Sequence, residues 1–230
     1  MEAIILAGGK AERLGDAAGG RPKSLVDVAR RPLVSYQLAR LVGAGVSRVI
    51  VSCALGQGAL FESALTGFGA EIVAAAEPER LGRGGGIKFA ARQRIETGNV
   101  YVLNGDELVD VDFAALLERH TSARAAATVA VARPKSAFGV VDLGTGDVVE
   151  GFSEGGRVPY WVNCGIYVFS PEAIERLPDV GDHETTTFVD LVREKKLYAY
   201  RHEGLWLTVN TPKELRTAGE HVAAHPEWLA

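Results

Sequence analysis

Four short apolar runs recur through the first half of the chain: EAIILA (2–7), RVIVSCA (48–54), EIVAAAE (71–77) and NVYVLNGDE (99–107). They do not alternate apolar with polar residues, so both faces of each strand demand cover, a property of parallel sheets flanked by helices. Between them, PLVSYQLARLVGA (32–44) sets apolar residues at 33, 34, 38, 41 and 42, with Pro32 suited to a first helical turn and Gly43 near the end. GALFESALTGF (58–68) and GGGIKFAARQRI (84–95) read as the next two helices. This alternation predicts an α/β fold built on a mostly parallel sheet. Beyond residue 120, AAATVAVAR, GVVDL, GDVVEGFSE and YWVNCGIYVFS predict strands parted by turns, with DFAALLERHT (112–121) and PEAIERL (171–177) as helices. These later strands are expected to extend the sheet and add a small antiparallel portion over one end of the site.

A length of 230 residues is within the range of one α/β domain, and no linker or internal repeat argues for division. The net charge of −4 gives no electrostatic footprint for nucleic acid, so a small partner is expected. Cys53 and Cys164 stand far apart with no metal-binding spacing and read as small hydrophobes. No window approaches the roughly 18 apolar residues of a membrane span, and the first apolar run is too short for a signal peptide. A cytoplasmic enzyme without a membrane partner is the resulting expectation.

The first run leads directly into LAGGKAERLGDAAGGRPKS. After a strand, Gly8 and Gly9 would let an anion approach the backbone, Arg13 offers a bidentate fork and Lys23 a compact positive charge. Spacing excludes two nucleotide loops. A P-loop counted from Gly15 fails because Arg21 and Pro22 separate Gly20 from Lys23, and a dinucleotide fingerprint counted from Gly82 would need glycine at Ile87.

LAGGKAERL with RPKSLVDV resembles the signature of the sugar-phosphate nucleotidylyltransferases, the NDP-sugar pyrophosphorylases. LGRGGGIKFA, VLNGDE, FGVV, FSE, VNCGIYVFSPEAI and LWLTVNTPKEL are similar to later motifs of that family, in the family's order. Two positions depart from its first loop: Ala11 replaces a glycine and Glu12 a threonine. The resemblance implies a three-layer Rossmann-like fold of the nucleotide-diphospho-sugar transferase type, with a nucleotide-binding half over about 1–120 and a sugar-binding half over 121–230. It also implies a short member without an appended β-helix domain. The implied substrates are an NTP and a sugar 1-phosphate, joined at the α-phosphorus with release of pyrophosphate. The nucleobase, the sugar and a homo-oligomeric state stay open. A cytidylyltransferase for a non-sugar alcohol phosphate and a non-catalytic NDP-sugar-binding paralogue are the alternatives.

On this resemblance Arg13 faces the leaving pyrophosphate, Lys23 the α-phosphate, and Asp106 ligates Mg²⁺, a hard ion that takes carboxylates and phosphate oxygens. The family's second carboxylate falls on Thr208 or Asn210. Asn210 is preferred as the ligand, with Glu107 or Asp110 as nearby alternatives. Leu6, Ala7, Gly8, Gly9, Glu77, Gly82, Gly84 and Gly85 are implied at the nucleotide, and Gly139, Glu154, Asn163 and Gly165 at the sugar. The family's lysine for the sugar phosphate is replaced by Gly155, which leaves Lys196 or Arg157 to supply that charge. Plainer readings stand beside these: turn glycines, a capping Asp106, a bulge at Asn163 and Gly165, and Trp206 as packing. Glu184 suits either helix capping or support of the sugar loop. His183 and His202 read as solvated, and REKK (193–196) as an exposed face.

Overall fold

The computed structural model describes residues 1–9, 11–136 and 138–228. Its strands in chain order are β1 (Glu2–Leu6), β2 (Asp27–Val28), β3 (Arg31–Pro32), β4 (Arg48–Ala54), β5 (Glu71–Glu77), β6 (Val100–Asn104) and β7 (Glu107–Val109), followed by β8 (Ala127–Ala132), β9 (Val140–Leu143), β10 (Val149–Ser153), β11 (Val162–Phe169), β12 (Leu197–Arg201) and β13 (Trp206–Thr208). The helices are α1 (Leu33–Gly43), α2 (Gly58–Leu65), α3 (Gly82–Ala91), α4 (Phe113–Ser122), α5 (Pro171–Glu175), α6 (Thr187–Arg193) and α7 (Pro212–Ala224).

A seven-stranded sheet in the order β12-β8-β11-β6-β1-β4-β5 crosses both halves of the chain. Only β11 runs against its neighbours, pairing antiparallel with both β6 and β8. The absence of alternation in the apolar runs has a simple cause. Along β1, Ala3 and Ile5 enter a core shared with α1 and α2, while Ile4 enters a second core beneath α3. Burying a side chain of that size contributes about 1.5–3 kcal/mol, so each central strand is anchored from both sides.

The sequence places the elements well and their ends less well. NVYVLNGDE is not one strand: β6 stops at Asn104, and Gly105 and Asp106 form a turn before β7. That turn lifts Asp106 out of the sheet. The third helix ends at Ala91 rather than continuing to Ile95. Helix α6 follows Glu184, where a helix was expected, whereas α7 was not anticipated, although it carries a full capping box in which Thr211 accepts from the Glu214 amide and Glu214 reaches back to Thr211. Strands β8, β11 and β12 extend the sheet, and β9 and β10 form the expected small antiparallel portion as a separate hairpin. Cys53 and Cys164 are free and buried, as expected of small hydrophobes.

Candidate active site

Because β1, β4, β5, β6, β8 and β12 share one direction, their carboxyl ends line a single edge of the sheet. Two adjoining clefts of about 840 and 650 Å³ open there, both lined by Gly8, Gly9, Arg13, Lys23, Glu77, Arg80 and Asp106. This is the crevice where open α/β sheets bind ligands.

Side chains from three distant segments converge in it. The Lys23 ammonium lies 2.5 Å from Asp106 Oδ2 and 2.5 Å from Asn210 Oδ1, and Arg13 Nη2 donates to the same Asn210 oxygen at 3.0 Å. Lys23 is buried, held by a short 3₁₀ turn over Lys23–Leu25. Asn210 is fixed from behind by Glu214, whose Oε2 accepts from the Asn210 and Thr211 amides at 2.8 and 2.9 Å. Glu214 is the positioning residue that the sequence reading missed. Its signal was present as Thr211-Pro212-Lys213-Glu214, a capping-box pattern.

Asp106 and Asn210 therefore present oxygens to one point that already holds a cation. A hard divalent ion shared with phosphate oxygens fits this pair, with one carboxylate supplying the charge. Neither alternative ligand belongs to the cleft lining. Glu107 is 5% exposed and packs beneath Gly165; burial first, then the Asp106 charge, hold its carboxyl well above the usual range. Asp110 instead lies 3.0 Å from His202 Nε2.

At the base side, Glu77 Oε1 accepts from Ser52 Oγ at 2.6 Å and Oε2 from the Leu81 amide at 3.1 Å, which aims the carboxylate into the cleft. Gly82 lines the second cleft, but Gly84 and Gly85 do not. A Cβ on Gly84 would meet His183 N at 2.8 Å, and one on Gly85 would meet Asp179 O at 2.5 Å. At these two positions the missing side chains admit the backbone at Asp179 and His183 and the Pro178 ring.

Beside Gly82 in the second cleft, Arg83 pairs with both Asp182 and Glu184, and Glu184 Oε1 accepts from Nδ2 of Asn163, which itself lines neither cleft, at 2.8 Å. Glu184 thus supports the loop beside Asn163 rather than capping a helix. Asn163 also donates to Tyr167 Oη at 2.8 Å, and the β11 register shifts between these two residues. A polar side chain and a bulge occur at the same place. Arg83, Arg80, Gln57 and Asn104 also line the clefts and were not singled out from the sequence.

Several of the expected residues lie away from the two clefts. Lys196 precedes β12 at the edge opposite the clefts, about 16 Å away by strand length alone, and pairs with Glu172 at 2.6 Å. Gly139 and Glu154 flank the β9–β10 hairpin close to one another and line neither cleft. Arg157 donates to Arg133 O at 2.7 Å, also outside them. Trp206 packs against the core as expected. His183 and His202 are buried rather than solvated, at 0% and 6% exposure. His183 sits among Tyr167, Phe169 and Phe188 rings.

That burial gives a pH prediction. It lowers both His183 and His120 from 6.5 to about 4, so between these values the unfolded chain binds more protons than the folded one. Stability from each is full above pH 6.5 and is lost as the pH falls toward 4, on the order of 3 kcal/mol per histidine. Urea midpoints at pH 7.5 and pH 5 are expected to fall accordingly, and His183→Phe to flatten the slope. A slope that His183→Phe leaves unchanged contradicts the assignment.

With the geometry in place, comparison with other proteins identifies the lineage. The sequence pattern of the family described as nucleotidyl transferase matches residues 2–225. The chain belongs to the nucleotidyl transferase family. It is 30% identical to mannose-1-phosphate guanyltransferase 2 of Candida glabrata over 246 aligned positions, covering 100% of this chain and 68% of that protein. It is 32% identical to mannose-1-phosphate guanylyltransferase of Mycobacterium tuberculosis, covering 93% of this chain and 62% of the relative. The chain thus spans roughly two thirds of these relatives' length. The crystal structure of HddC from Yersinia pseudotuberculosis complexed with GMP-PN shares the fold at a TM-score of 0.73 and 24% identity, over 96% of this chain and 98% of that one. A putative glucose-1-phosphate thymidylyltransferase from Bacillus anthracis gives 0.75 at 17% identity, over 96% and 95%. In this family member, no helix among the described residues is long and apolar enough to cross a membrane.

Proposed function

We propose that the protein is a sugar-1-phosphate nucleotidylyltransferase, joining GTP and a hexose 1-phosphate to give GDP-hexose and pyrophosphate. The observation that carries this reading is the Arg13–Asn210–Lys23–Asp106 cluster at the carboxyl edge of β1 and β6. The names of the mannose-1-phosphate guanylyltransferase relatives support the choice of substrates. Glu77 supports guanine, since a carboxylate accepts hydrogen bonds only and guanine presents a donor edge to it.

In this scheme the attacking oxygen is the acceptor's own phosphate, already ionised at pH 7, so no protein nucleophile or base is needed. The chain's work is alignment and charge neutralisation. Gly8 and Gly9 receive the triphosphate, Arg13 binds the leaving pyrophosphate, and Lys23 turns from Asp106 to the α-phosphate oxygens. Asn163, whose Nδ2 is held by Glu184 and Tyr167, offers the remaining lone pair of its Oδ1, which also accepts from the Gly165 amide, to an acceptor hydroxyl. Asp106 and Asn210 would hold Mg²⁺, which neutralises phosphate charge when bound.

The test is pyrophosphate release across GTP, UTP, dTTP and CTP with a panel of sugar 1-phosphates and Mg²⁺. GTP with mannose 1-phosphate is expected to turn over best. Nucleotide binding without turnover of any pair overturns the enzyme reading in favour of a non-catalytic binding protein. Asn210→Asp adds the second carboxylate and is expected to lower the half-saturating Mg²⁺ concentration several-fold. A metal titration of turnover that is superimposable on the wild type refutes Asn210 as a ligand.

A further inference from the structure

Farthest from β5, the strands β8, β11 and β12 bring three arginines around one indole. Arg133 Cζ lies 5.0 Å from the Trp161 ring centroid and Arg201 Cζ 5.4 Å from it. Arg157 is tied to the same place by its bond to Arg133 O and by the bridge between Lys135 and Arg157. A small cavity of about 110 Å³ is lined by Arg133, Arg157, Trp161, His202 and Glu203.

These arginines are distinguished by gathering at one side chain, with no described carboxylate in ion-pair range of any of them. Among the described residues, Arg48, Arg83, Arg94 and Arg176 all pair with carboxylates, whereas Arg133, Arg157 and Arg201 have none in ion-pair range. Glu203 lines the cavity without pairing with any of them. In a chain of net charge −4, three neighbouring guanidiniums facing the single carboxylate of Glu203 make a locally positive field against the overall charge.

Position connects this field to the clefts. Val129 and Leu197 pack with Tyr167 and Phe169 in one core, so alternation places Arg133 and Arg201, each four residues on, at that same face. Asn163 bonds to Tyr167 on that face and is paired in register with Val131. Arg133 and Trp161 each lie two residues from that pair, about 7 Å along the strands toward the edge where the clefts open.

We propose that Arg133, Arg157 and Arg201, arranged about Trp161, bind a compact oxyanion, a phosphate or carboxylate, carried by the acceptor at the end remote from its 1-phosphate. The proposal rests on the acceptor lying along Asn163, as in the reading above. Guanidinium forks match planar and tetrahedral oxyanions bidentately, and stacking on the indole keeps the forks oriented before the ligand arrives. The acceptor class is then an acidic sugar phosphate, such as a sugar bisphosphate or a uronic acid 1-phosphate.

The test compares hexose 1-phosphate, hexose 1,6-bisphosphate and hexuronic acid 1-phosphate, in the full chain and in Arg133→Gln/Arg201→Gln. Pyrophosphate release is expected to show at least a tenfold lower KM for a charged acceptor, lost in the double variant, while the neutral acceptor keeps its KM and kcat. Equal KM values in the wild type, or a preference that survives in the variant, overturn the proposal. Calorimetric binding of the bisphosphate against the monophosphate separates failure of the site from failure of the activity. Without turnover of any acceptor, tighter bisphosphate binding lost in the variant still supports the subsite, and equal binding refutes it. Inorganic phosphate binding that is lost in the variant, with no acceptor preference, identifies a free anion effector and overturns the acceptor version.

Discussion

Lys23→Met is expected to lower kcat/KM by about 10²–10³-fold, the loss that follows removal of one preorganised charge from a transition state. Lys23 is the only residue of the cluster that touches both Asp106 and Asn210, at 2.5 Å each. In the resting protein it holds the cation position between two oxygens, and with substrates bound it is the charge that moves to the reacting phosphate. Methionine keeps most of the buried stem, so the melting curve is expected to change little. The Asp106 side chain is 34% exposed and water can replace the lost partner. A variant within threefold of the wild-type rate removes Lys23 from the mechanism.

Gly165→Ala carries the largest expected effect of a single substitution on stability, about 2–4 kcal/mol, from two independent costs. Its φ is +67°, where an L side chain is strained, and a Cβ there would lie 2.2 Å from Asn104 Nδ2 and 2.8 Å from Glu107 Oε1. Gly165 lets β11 pass close over the end of β6, immediately beside the Asp106 turn. Relief of the clash has to push Asn104, which lines the second cleft, or the buried Glu107. The midpoint of thermal unfolding is expected to fall by roughly 5–15 °C, and the KM of the acceptor to rise with it. A loss below 0.5 kcal/mol, on the order of an ordinary surface change, refutes the packing account.

The glycine-rich helix start shows where reading the sequence stops. LGRGGGIKFA announces that something must approach α3 closely, and the glycines are needed. The approaching group at Gly84 and Gly85 is the backbone of residues 178–183, about a hundred positions away. Pattern alone does not distinguish a ligand from a distant loop, since both need the same missing Cβ. His183 and His202 went astray for a related reason. Polar neighbours in sequence suggested solvent, while Tyr167, Phe169 and Phe188 arrive from β11 and α6 to enclose His183. Lys196 was a matter of direction: a residue before a parallel strand lies at the edge away from the clefts.

By itself the sequence determined the alternating strands and helices, the burial of each central strand on both faces, and the Gly8-Gly9-Arg13-Lys23 and Asp106 segments. Those properties are local, set by hydrophobic period, turn residues and the short reach of a loop. Only the tertiary structure decided that Lys23, Asp106 and Asn210 meet at one point. It also decided that Glu214 fixes Asn210, that Glu184 fixes Asn163, and that three arginines without counter-ions gather at Trp161. Each of these depends on strand order and direction, which bring together residues as far as 187 positions apart and which no local pattern encodes.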